Sequence, residues 1–369
     1  MNKLVFGNLI HRPLRSVISA LAVAIEVIMI LSIVGIMYGI LNGSRDQASG
    51  TGYDMIARPS AGSAILSTSS ASASVKVADV LRGLPHVEVA SPVGIKLLVG
   101  SSVQNLLGID YESYNALKPF EFKAGGPFQG PYDILIDSVE AANSKAKVGD
   151  VVKIAQLGRD FRICGIVAAG KGARRYIQLT TMDAIDGTPG KAALFYLRTS
   201  SAPEFQKAVR AEILATEGMS DWNVQTLQEL LSQLTPEHIP AFNIGIRVVI
   251  GIAAVIGFLV IFQSMYTAVM ERTREIGILK SMGASKGTIV SVVLRETGLL
   301  AVCGVIIGIV ATVLLKAALH ARFPSLSFQL TPEWAGIATL ITLVGAVLGA
   351  TYPALKAARK DPIEALSYE

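Results

Sequence analysis

The fold is decided by one charged stretch, ERTREIGILKSMGASKGTIV (residues 271–290), which lies between two long apolar runs. The run before it is VVIGIAAVIGFLVIFQSMYTAVM (248–270), and the run after it is TGLLAVCGVIIGIVATVLLKAAL (297–319). About 20 apolar residues in a helix are enough to cross the hydrocarbon core of a bilayer. The stretch therefore predicts a polar segment that joins two membrane-spanning helices and lies in water.

The composition of the whole chain agrees with a membrane protein. Of its 369 residues, 51% are hydrophobic and 17% are charged, and the mean hydropathy is +0.50. Soluble domains carry about 25% charged residues. The first apolar run is too long to be the core of a signal peptide, so we expect it to be retained as a span. Transmembrane helices are predicted for residues 17–41, 244–270, 297–315 and 335–355.

The orientation of the spans follows from the basic residues beside them. These residues crowd into the two terminal segments and the loop after the second span, and they are Lys3, Arg12, Arg15, Arg272, Arg274, Lys280, Lys286, Arg295, Lys356, Arg359 and Lys360. Lys and Arg in short loops mark the cytoplasmic side. We therefore expect a multi-pass protein of the cytoplasmic (inner) membrane, with 1–16, 271–296 and 356–369 inside and with 42–243 and the short loop 316–334 outside.

The long segment 42–243 is predicted to fold as an extracytoplasmic (periplasmic) α+β domain of two lobes. Near its end, AALFYLRTSS (192–201) is typical of a strand and PEFQKAVRAEILATEG (203–218) of a helix. In its middle, YDILIDSVEAANSKAKVGDVVKIAQLGRDFRICGIVAAG (132–170) alternates strands with KVGD and LGRD turns. These patterns indicate an α/β lobe built from both ends of the segment and a β-rich lobe inserted between them.

Within 271–296, the pattern indicates a short amphipathic helix. Ile276, Leu279 and Met282–Gly283 recur at helical spacing and form a narrow apolar stripe. Gly283 is expected to end this helix. The charges around the stripe, which are costly in lipid, are Arg272, Arg274, Glu275 and Lys280. Such a helix can dock into the groove of a partner, or it can belong to a loop that only anchors the topology.

Three segments carry a resemblance to a known family. They are ERTREIGILKSMGAS (271–285), YPALKAARKDPIEALSYE (352–369), and DILIDSVEAANSKAKVGDVVKI (133–154) with the later strand FRICGIV. In these segments and in its layout of one span, a large outer domain and three further spans, the chain resembles the MacB-type, FtsX-like permeases of ABC transporters. The resemblance implies that the first segment couples to an ATPase, through Arg272, Arg274, Glu275, Ile276, Gly277, Leu279, Lys280, Met282 and Gly283. It also implies a tail contact through Asp361, Pro362, Ala365 and Leu366.

The partners follow from the same resemblance. The letters of a phosphate-binding loop occur in the wrong order in GASKGT (283–288) and AGKGAR (169–174). We therefore expect a separate ABC ATPase subunit that binds ATP and Mg, and no cofactor in this chain. A second permease protomer and membrane lipid are also expected, and a periplasmic membrane-fusion adaptor is left open. Nucleic acid is not expected, because the net charge of +5 comes from residues that flank the spans.

No catalytic or metal site is predicted. The four histidines, His11, His86, His238 and His320, show no metal-ligand spacing, and no His-Glu-x-x-His motif occurs. The letters Gly-x-Ser-x-Gly occur in GASKG (283–287), but they follow a charged amphipathic segment and not the strand that a catalytic elbow needs. The predicted function is therefore that of a non-enzymatic permease subunit, in which ATP-driven motion of the outer domain moves an amphipathic or hydrophobic cargo outward. The alternative is FtsX-like signalling, in which ATPase motion is relayed to an enzyme outside. An outer domain of about 200 residues suits the transport branch of the family.

Two polar or small-residue features stand out inside the spans. Glu26 is charged and lies well within the first apolar run, where a carboxylate is costly and usually functional. It is expected at a dimer interface, near Arg15, or protonated as a hydrogen-bond donor. Three G-x-x-x-G pairs allow helices to approach closely, within one protomer or between two, and their residues are Gly35, Gly39, Gly304, Gly308, Gly345 and Gly349.

Overall fold

The computed structural model describes residues 13–59, 72–99, 103–200, 203–323 and 326–360. These residues belong to two compact units. The membrane unit comprises the chain up to Ile40, the segment Ile239–Arg322 and the chain from Leu326 onward. The outer unit comprises Leu41–His238 together with Phe323.

The helices and strands are numbered in chain order. The helices are α1 (Pro13–Gly50), α2 (Val77–Arg82), α3 (Tyr111–Leu117), α4 (Ser138–Ser144), α5 (Leu179–Asp186), α6 (Pro203–Ala215), α7 (Leu227–Gln233), α8 (Pro240–Glu271), α9 (Thr273–Ser281), α10 (Lys286–Arg322) and α11 (Pro332–Arg359). The strands are β1 (Met55–Arg58), β2 (Ala73–Ser74), β3 (Val87–Val99), β4 (Val103–Ile109), β5 (Phe122–Gly125), β6 (Asp133–Asp137), β7 (Val151–Ile154), β8 (Arg159–Val167), β9 (Arg175–Gln178), β10 (Lys191–Ala192), β11 (Leu194–Thr199) and β12 (Asn223–Thr226).

Four helices of the described chain, α1, α8, α10 and α11, are long and apolar enough to cross a membrane. This confirms the predicted class, an α-helical membrane protein with four spans and a large α+β domain between the first two. The helices are longer than the apolar runs, so much of the predicted segments 271–296 and 316–334 is helical. The reason is that Lys, Glu and Ala at the helix ends favour helix as strongly as the apolar residues do, although only the apolar part matches lipid.

Helix α1 lies at the centre of the membrane unit. Half of its most apolar window is buried inside the protein, against 22–33% for the other three spans. Val27, Ile30 and Leu31 of α1 are fully buried and pack with Ala253 of α8 and Ala346 of α11 in one apolar cluster. The other spans therefore surround α1, and their remaining apolar faces are exposed, as expected for helices that meet lipid.

The glycine pairs mostly pack helices of the same chain together. A methyl group at Gly308 of α10 would lie 2.8 Å from Cβ of Val27 and 2.9 Å from the carbonyl oxygen of Ala24. Gly304, Gly349, Gly35 and Gly39 are equally close to neighbouring atoms of the membrane unit. Gly345 differs, because a methyl group there would meet no heavy atom of a neighbouring described residue within 4 Å. Five of the six predicted packing glycines therefore act within one protomer, and Gly345 faces outward.

Replacing Gly308 with Leu is expected to destabilise the membrane unit, because the new side chain would collide with the backbone and side chains of α1. Such overpacking of a well-packed site costs about 1–3 kcal/mol or more. Gly345→Leu provides a matched control in a span, and it is expected to leave the melting temperature of the detergent-purified protein unchanged. Equal melting temperatures for Gly308→Leu and the wild type would contradict the close approach of α10 to α1.

The outer unit is built on one twisted sheet. Ten of the twelve described strands form one sheet in the order β12-β1-β11-β3-β4-β9-β6-β8-β5, with β7 also paired to β8, and β2 and β10 pair in a separate two-stranded sheet. The pairs β4–β9 and β6–β8 are parallel, and the other pairs are antiparallel. All five side chains of β6 are buried, as is typical of a central strand covered on both faces.

The two predicted lobes are the two halves of this sheet. One half brings together both ends of the segment, and its core contains Met55, Phe195 and Val209. The other half comes from the middle of the segment, and its core contains Ile134 and Phe161. The parallel pairing of β4 with β9 joins the halves, so the inserted strands extend the first sheet and do not form a sheet of their own.

Candidate coupling site

The charged stretch between the second and third spans folds as a short helix with defined ends. The preceding helix α8 is interrupted at Arg272, whose φ is −104° and ψ is 16°. Helix α9 then ends at Gly283, which has φ of 94°. The N–H groups of Gly283 and Ala284 donate to the carbonyl oxygens of Lys280 and Leu279, both at 3.0 Å. This pair of bonds is a Schellman motif, in which glycine is favoured because its φ is positive.

The next helix begins directly after this motif. The side chain of Ser285 accepts a hydrogen bond from the backbone N–H of Thr288 at 3.2 Å. Such a cap satisfies one of the free N–H groups in the first turn of α10. The turn between α9 and α10 is therefore short and specified by its own residues, as the sequence predicted for Gly283.

A buried ion pair joins α9 to α10. Nη1 of Arg272 lies 3.1 Å from Oε1 and 3.0 Å from Oε2 of Glu296. Their side chains are only 12% and 10% exposed. Arg272, which the sequence placed among the charges around the stripe, is therefore largely buried. Its charge is used within the chain, where it lies against the buried carboxylate of Glu296.

A second polar contact joins α9 to α11. Nζ of Lys280 donates a hydrogen bond to the carbonyl oxygen of Ala358 at 3.1 Å and another to that of Lys360. The last carbonyl groups of a helix have no partner within the helix and carry partial negative charge. Lys280 therefore caps the C-terminus of α11 and attaches α9 to it.

The predicted apolar stripe of α9 faces the chain's own helices. Ile276 packs against Val269, Ile289 and Ala357, which come from three other helices. Leu279 is half-buried and lines a cavity of about 110 Å³ with residues of α8 and α10. Both side chains are half-buried against the chain's own helices, whereas the sequence pattern predicted them as the docking stripe. Gly277 is buried on the same side.

The exposed face of α9 carries different residues. Arg274 and Glu275 are exposed, and so are the apolar side chains of Ile278, at 44%, and Met282, at 71%. Arg274, Ile278 and Met282 are spaced by four residues, so they lie along one side of the helix. We call these three residues with Glu275 the outer face of α9. Ile278 was missed from the sequence, although its spacing of four from both Arg274 and Met282 was a signal for it.

The predicted tail contact, Asp361, Pro362, Ala365 and Leu366, lies outside the described residues. Lys360, the last described residue before this tail, accepts a hydrogen bond from Lys280 through its carbonyl oxygen. The described chain therefore ends beside α9. Of the predicted coupling residues, the structure thus places Arg274, Glu275 and Met282 on the exposed side, with Gly283 exposed at the helix end.

Glu26 is buried inside the bundle of its own chain. Its exposed fraction is 3%, and a methyl group at Gly257 of α8 would lie 1.9 Å from its Oε2. The carboxyl group therefore occupies space that the absence of a side chain at Gly257 leaves open. Of the three alternatives offered by the sequence, a dimer interface fits this burial least, because the side chain points into the membrane unit.

Replacing Glu26 with Gln is expected to leave the melting temperature of the detergent-purified protein unchanged or raised. Glutamine has the same shape, and Oε1 of Glu26 has no hydrogen-bond partner among the described residues, so an ionised carboxylate there is costly. Glu26→Arg, which places a larger cation in the same space, serves as the disruptive control. A clear fall in the melting temperature of Glu26→Gln would mean that the negative charge is required for folding.

Comparison with known protein families agrees with this architecture. Residues 16–215 match the MacB-like periplasmic core domain, and residues 247–362 match the FtsX-like permease C-terminal domain. The first match covers α1 and most of the outer unit, and the second covers the last three spans and α9. Together they include both elements described above, the central helix and the short helix with its outer face.

Named relatives are similar over different shares of their length. The chain is 26% identical over 239 residues to the uncharacterized ABC transporter permease MJ1507 of Methanocaldococcus jannaschii, covering 60% of this chain and 58% of that protein. It is 25% identical to the uncharacterized ABC transporter permease YknZ of Bacillus subtilis, over 100% of this chain and 98% of that protein.

A third relative is the macrolide export ATP-binding/permease protein MacB of Escherichia coli. The identity is 24%, and the alignment covers 76% of this chain and 46% of that protein. The chain thus spans about half the length of MJ1507 and of MacB, and nearly all of YknZ. The matched domains cover more than half of the chain, and the chain belongs to the MacB-type, FtsX-like family of ABC transporter permeases.

Proposed function

We propose that this chain couples ATP hydrolysis by a separate ATPase subunit to the outward movement of an amphipathic or hydrophobic cargo. In this proposal the ATPase binds the outer face of α9, and the outer domain carries out the movement. The observation that carries the proposal is that α9 presents exposed apolar side chains and at the same time contacts three spans, α8, α10 and α11.

The attachments of α9 suit the transfer of force. Arg272 joins it to α10 through Glu296, Lys280 joins it to the end of α11, and Ile276 packs between α8, α10 and α11. A partner that pushes on Ile278 or Met282 therefore moves three spans together and cannot merely bend a loop. A helix that only anchored the topology would need none of these contacts.

The first span, α1, can transmit motion to the outer domain. Helix α1 continues without a break to Gly50, and its last turns belong to the outer unit. There the N–H of Gly172 donates to the carbonyl oxygen of Gln47 at 2.8 Å, and Ala48 packs beside the aromatic core of Tyr53 and Tyr114. Displacement of α1 is thereby passed to the sheet through hydrogen bonds and packing.

We prefer export to signalling because the name of one relative includes export. MacB is named for macrolide export, and macrolides are hydrophobic molecules with polar substituents. We infer a cargo of that general character. We also propose that the permease acts as a dimer, with both termini in the cytoplasm as the basic residues beside the spans indicate.

Distance measurement between two protomers tests this function. A nitroxide label replaces Glu217, which is exposed in the outer domain, in protein reconstituted with its ATPase into nanodiscs. The chain alone is expected to hydrolyse no ATP, and the complex is expected to change the label-to-label distance when ATP is added. Continuous hydrolysis with no change in that distance would contradict motion of the outer domains.

A further inference from the structure

A groove of about 750 Å³ lies between α10 and α11 at the end of the membrane unit that carries α9. Three basic side chains line it, Lys286, Arg295 and Arg359, and all three are exposed. Its apolar lining comes from Val290 and Leu294 of α10 and from Leu355 of α11, and Leu355 is 42% exposed. The groove thus combines a row of cations with an apolar track on two membrane spans.

The positive charge of this groove is not neutralised within the described chain. None of its three cations forms an ion pair with a described carboxylate. The adjacent carboxylate, Glu296, points to the other side of α10, where it pairs with Arg272. Three cations lining one groove repel one another, and an anion bound between them would relieve that repulsion.

The groove carries cations and apolar side chains on the same two helix ends, with Val290 and Leu294 between Lys286 and Arg295 on α10. Lys286 and Arg295 are nine residues apart on α10, which is about 13 Å along the axis. Arg359 belongs to the last turn of α11, and Leu355 lies one turn before it, toward the lipid-facing part of the span. An occupant with an anionic group at one end and an apolar chain at the other would match both parts.

We propose that this groove binds an anionic phospholipid of the cytoplasmic leaflet. The phosphate group lies between Arg295 and Arg359, since guanidinium groups bind phosphate oxygens in a bidentate manner. An acyl chain lies along Leu294 and Leu355. The assignment to the cytoplasmic leaflet rests on the proposed orientation, and basic pockets between spans on that side are suited to anionic headgroups.

A phospholipid fits this groove better than a protein partner does. The groove lies on the ends of α10 and α11 directly beside their apolar runs, the level at which lipid headgroups are expected. The partner-facing outer face of α9 is a different surface, made of Arg274, Ile278 and Met282 with Glu275. Bound lipid would hold α10 and α11 together next to the point where Lys280 joins α9 to α11, so it would stiffen the coupling site.

Native mass spectrometry of the purified full chain tests the proposal without any ATPase. The protein in mild detergent is titrated with phosphatidylglycerol and, separately, with phosphatidylcholine. The wild type is expected to bind phosphatidylglycerol more tightly. Arg295→Gln and Arg359→Gln are each expected to weaken that binding about fivefold, the contribution of one basic residue near an anionic lipid surface, and to leave phosphatidylcholine binding unchanged.

The matched control is Arg274→Gln, which removes an exposed arginine of α9 that lies outside the groove, and it is expected to bind phosphatidylglycerol like the wild type. Salt provides a test that needs no variant. Raising the salt concentration from 0.1 to 1 M shortens the screening length from about 10 to about 3 Å and is expected to weaken phosphatidylglycerol binding alone.

Three results would overturn the lipid site. They are equal binding of both lipids by the wild type, unchanged phosphatidylglycerol binding by Arg295→Gln and Arg359→Gln, and loss of ATPase binding in these variants with lipid binding intact. The last result would assign the groove to the ATPase. Because the lipid titration contains no ATPase, failure of the lipid site leaves the coupling role of α9 standing, and the reverse also holds.

Discussion

Replacing Met282 with Asp is expected to abolish co-purification of the ATPase and its stimulation, while the permease still reaches the membrane at normal levels. Met282 is 71% exposed and Ile278 is 44% exposed, so a carboxylate at position 282 disturbs no contact within the chain. In the complex it would be buried in an apolar groove, at a cost of about 3 kcal/mol or more. The topology is preserved because the basic residues beside the spans are unchanged.

Two further variants make this prediction specific. Met282→Leu keeps the apolar character and is expected to bind the ATPase nearly as well as the wild type. Ile276→Asp is expected to lower the melting temperature of the permease itself, since Ile276 packs against Val269 and Ile289. If Met282→Asp binds and stimulates the ATPase normally, α9 only anchors the topology, and the tail residues Asp361–Leu366 become the next candidate.

Replacing Arg272 with Ala is expected to cause the largest loss of stability of any substitution in the coupling site. It removes the guanidinium group that lies 3.0 Å from Glu296, whose side chain is 10% exposed. Removing one partner of a buried pair costs about 3–5 kcal/mol, because the remaining charge stays buried without that partner's opposite charge. The measurement is thermal unfolding of the permease in detergent, read by tryptophan fluorescence or circular dichroism.

A double-mutant cycle separates the pair from each residue's other contacts. Arg272→Gln with Glu296→Gln removes both charges and keeps similar volumes, so it is expected to be more stable than either single variant. Because the pair joins α9 to α10, the double variant is also expected to retain ATPase binding and to lose part of the stimulation. Additive effects of the two single variants would show that Arg272 and Glu296 do not interact.

The sequence was sufficient for the spans and for the C-terminal end of the coupling helix. Lipid demands long apolar runs, and a helix that must turn within a few residues needs a residue such as Gly283. The face of α9 was harder to predict, because Ile276 and Ile278 are both apolar and lie on opposite sides of it. The tertiary structure distinguishes them. Ile276 packs against Val269, Ile289 and Ala357, and Ile278, on the other side of the helix, stays exposed.

The other features that the sequence did not predict depend on contacts between residues that are far apart in the chain. Glu296 is 24 residues from Arg272. The sequence assigned Glu296 to the polar segment 271–296, because the predicted span starts at the next residue. The parallel pairing of β4 with β9 joins segments that are distant in sequence, so local alternation predicted the strands and not their common sheet. Glu26 and Gly257 fit together, although nothing in either local pattern relates them.

Photo-crosslinking tests the outer face of α9 most directly. A benzoylphenylalanine residue is placed at position 278 or 282 in one set of variants and at position 279 in a control, and each is illuminated in membranes that contain the ATPase. The account predicts a crosslinked permease–ATPase product from positions 278 and 282, which are exposed, and little or none from position 279, which faces α8 and α10. No product from 278 or 282, with a strong product from elsewhere in the cytoplasmic segments, would contradict the assignment of α9 as the ATPase-binding element.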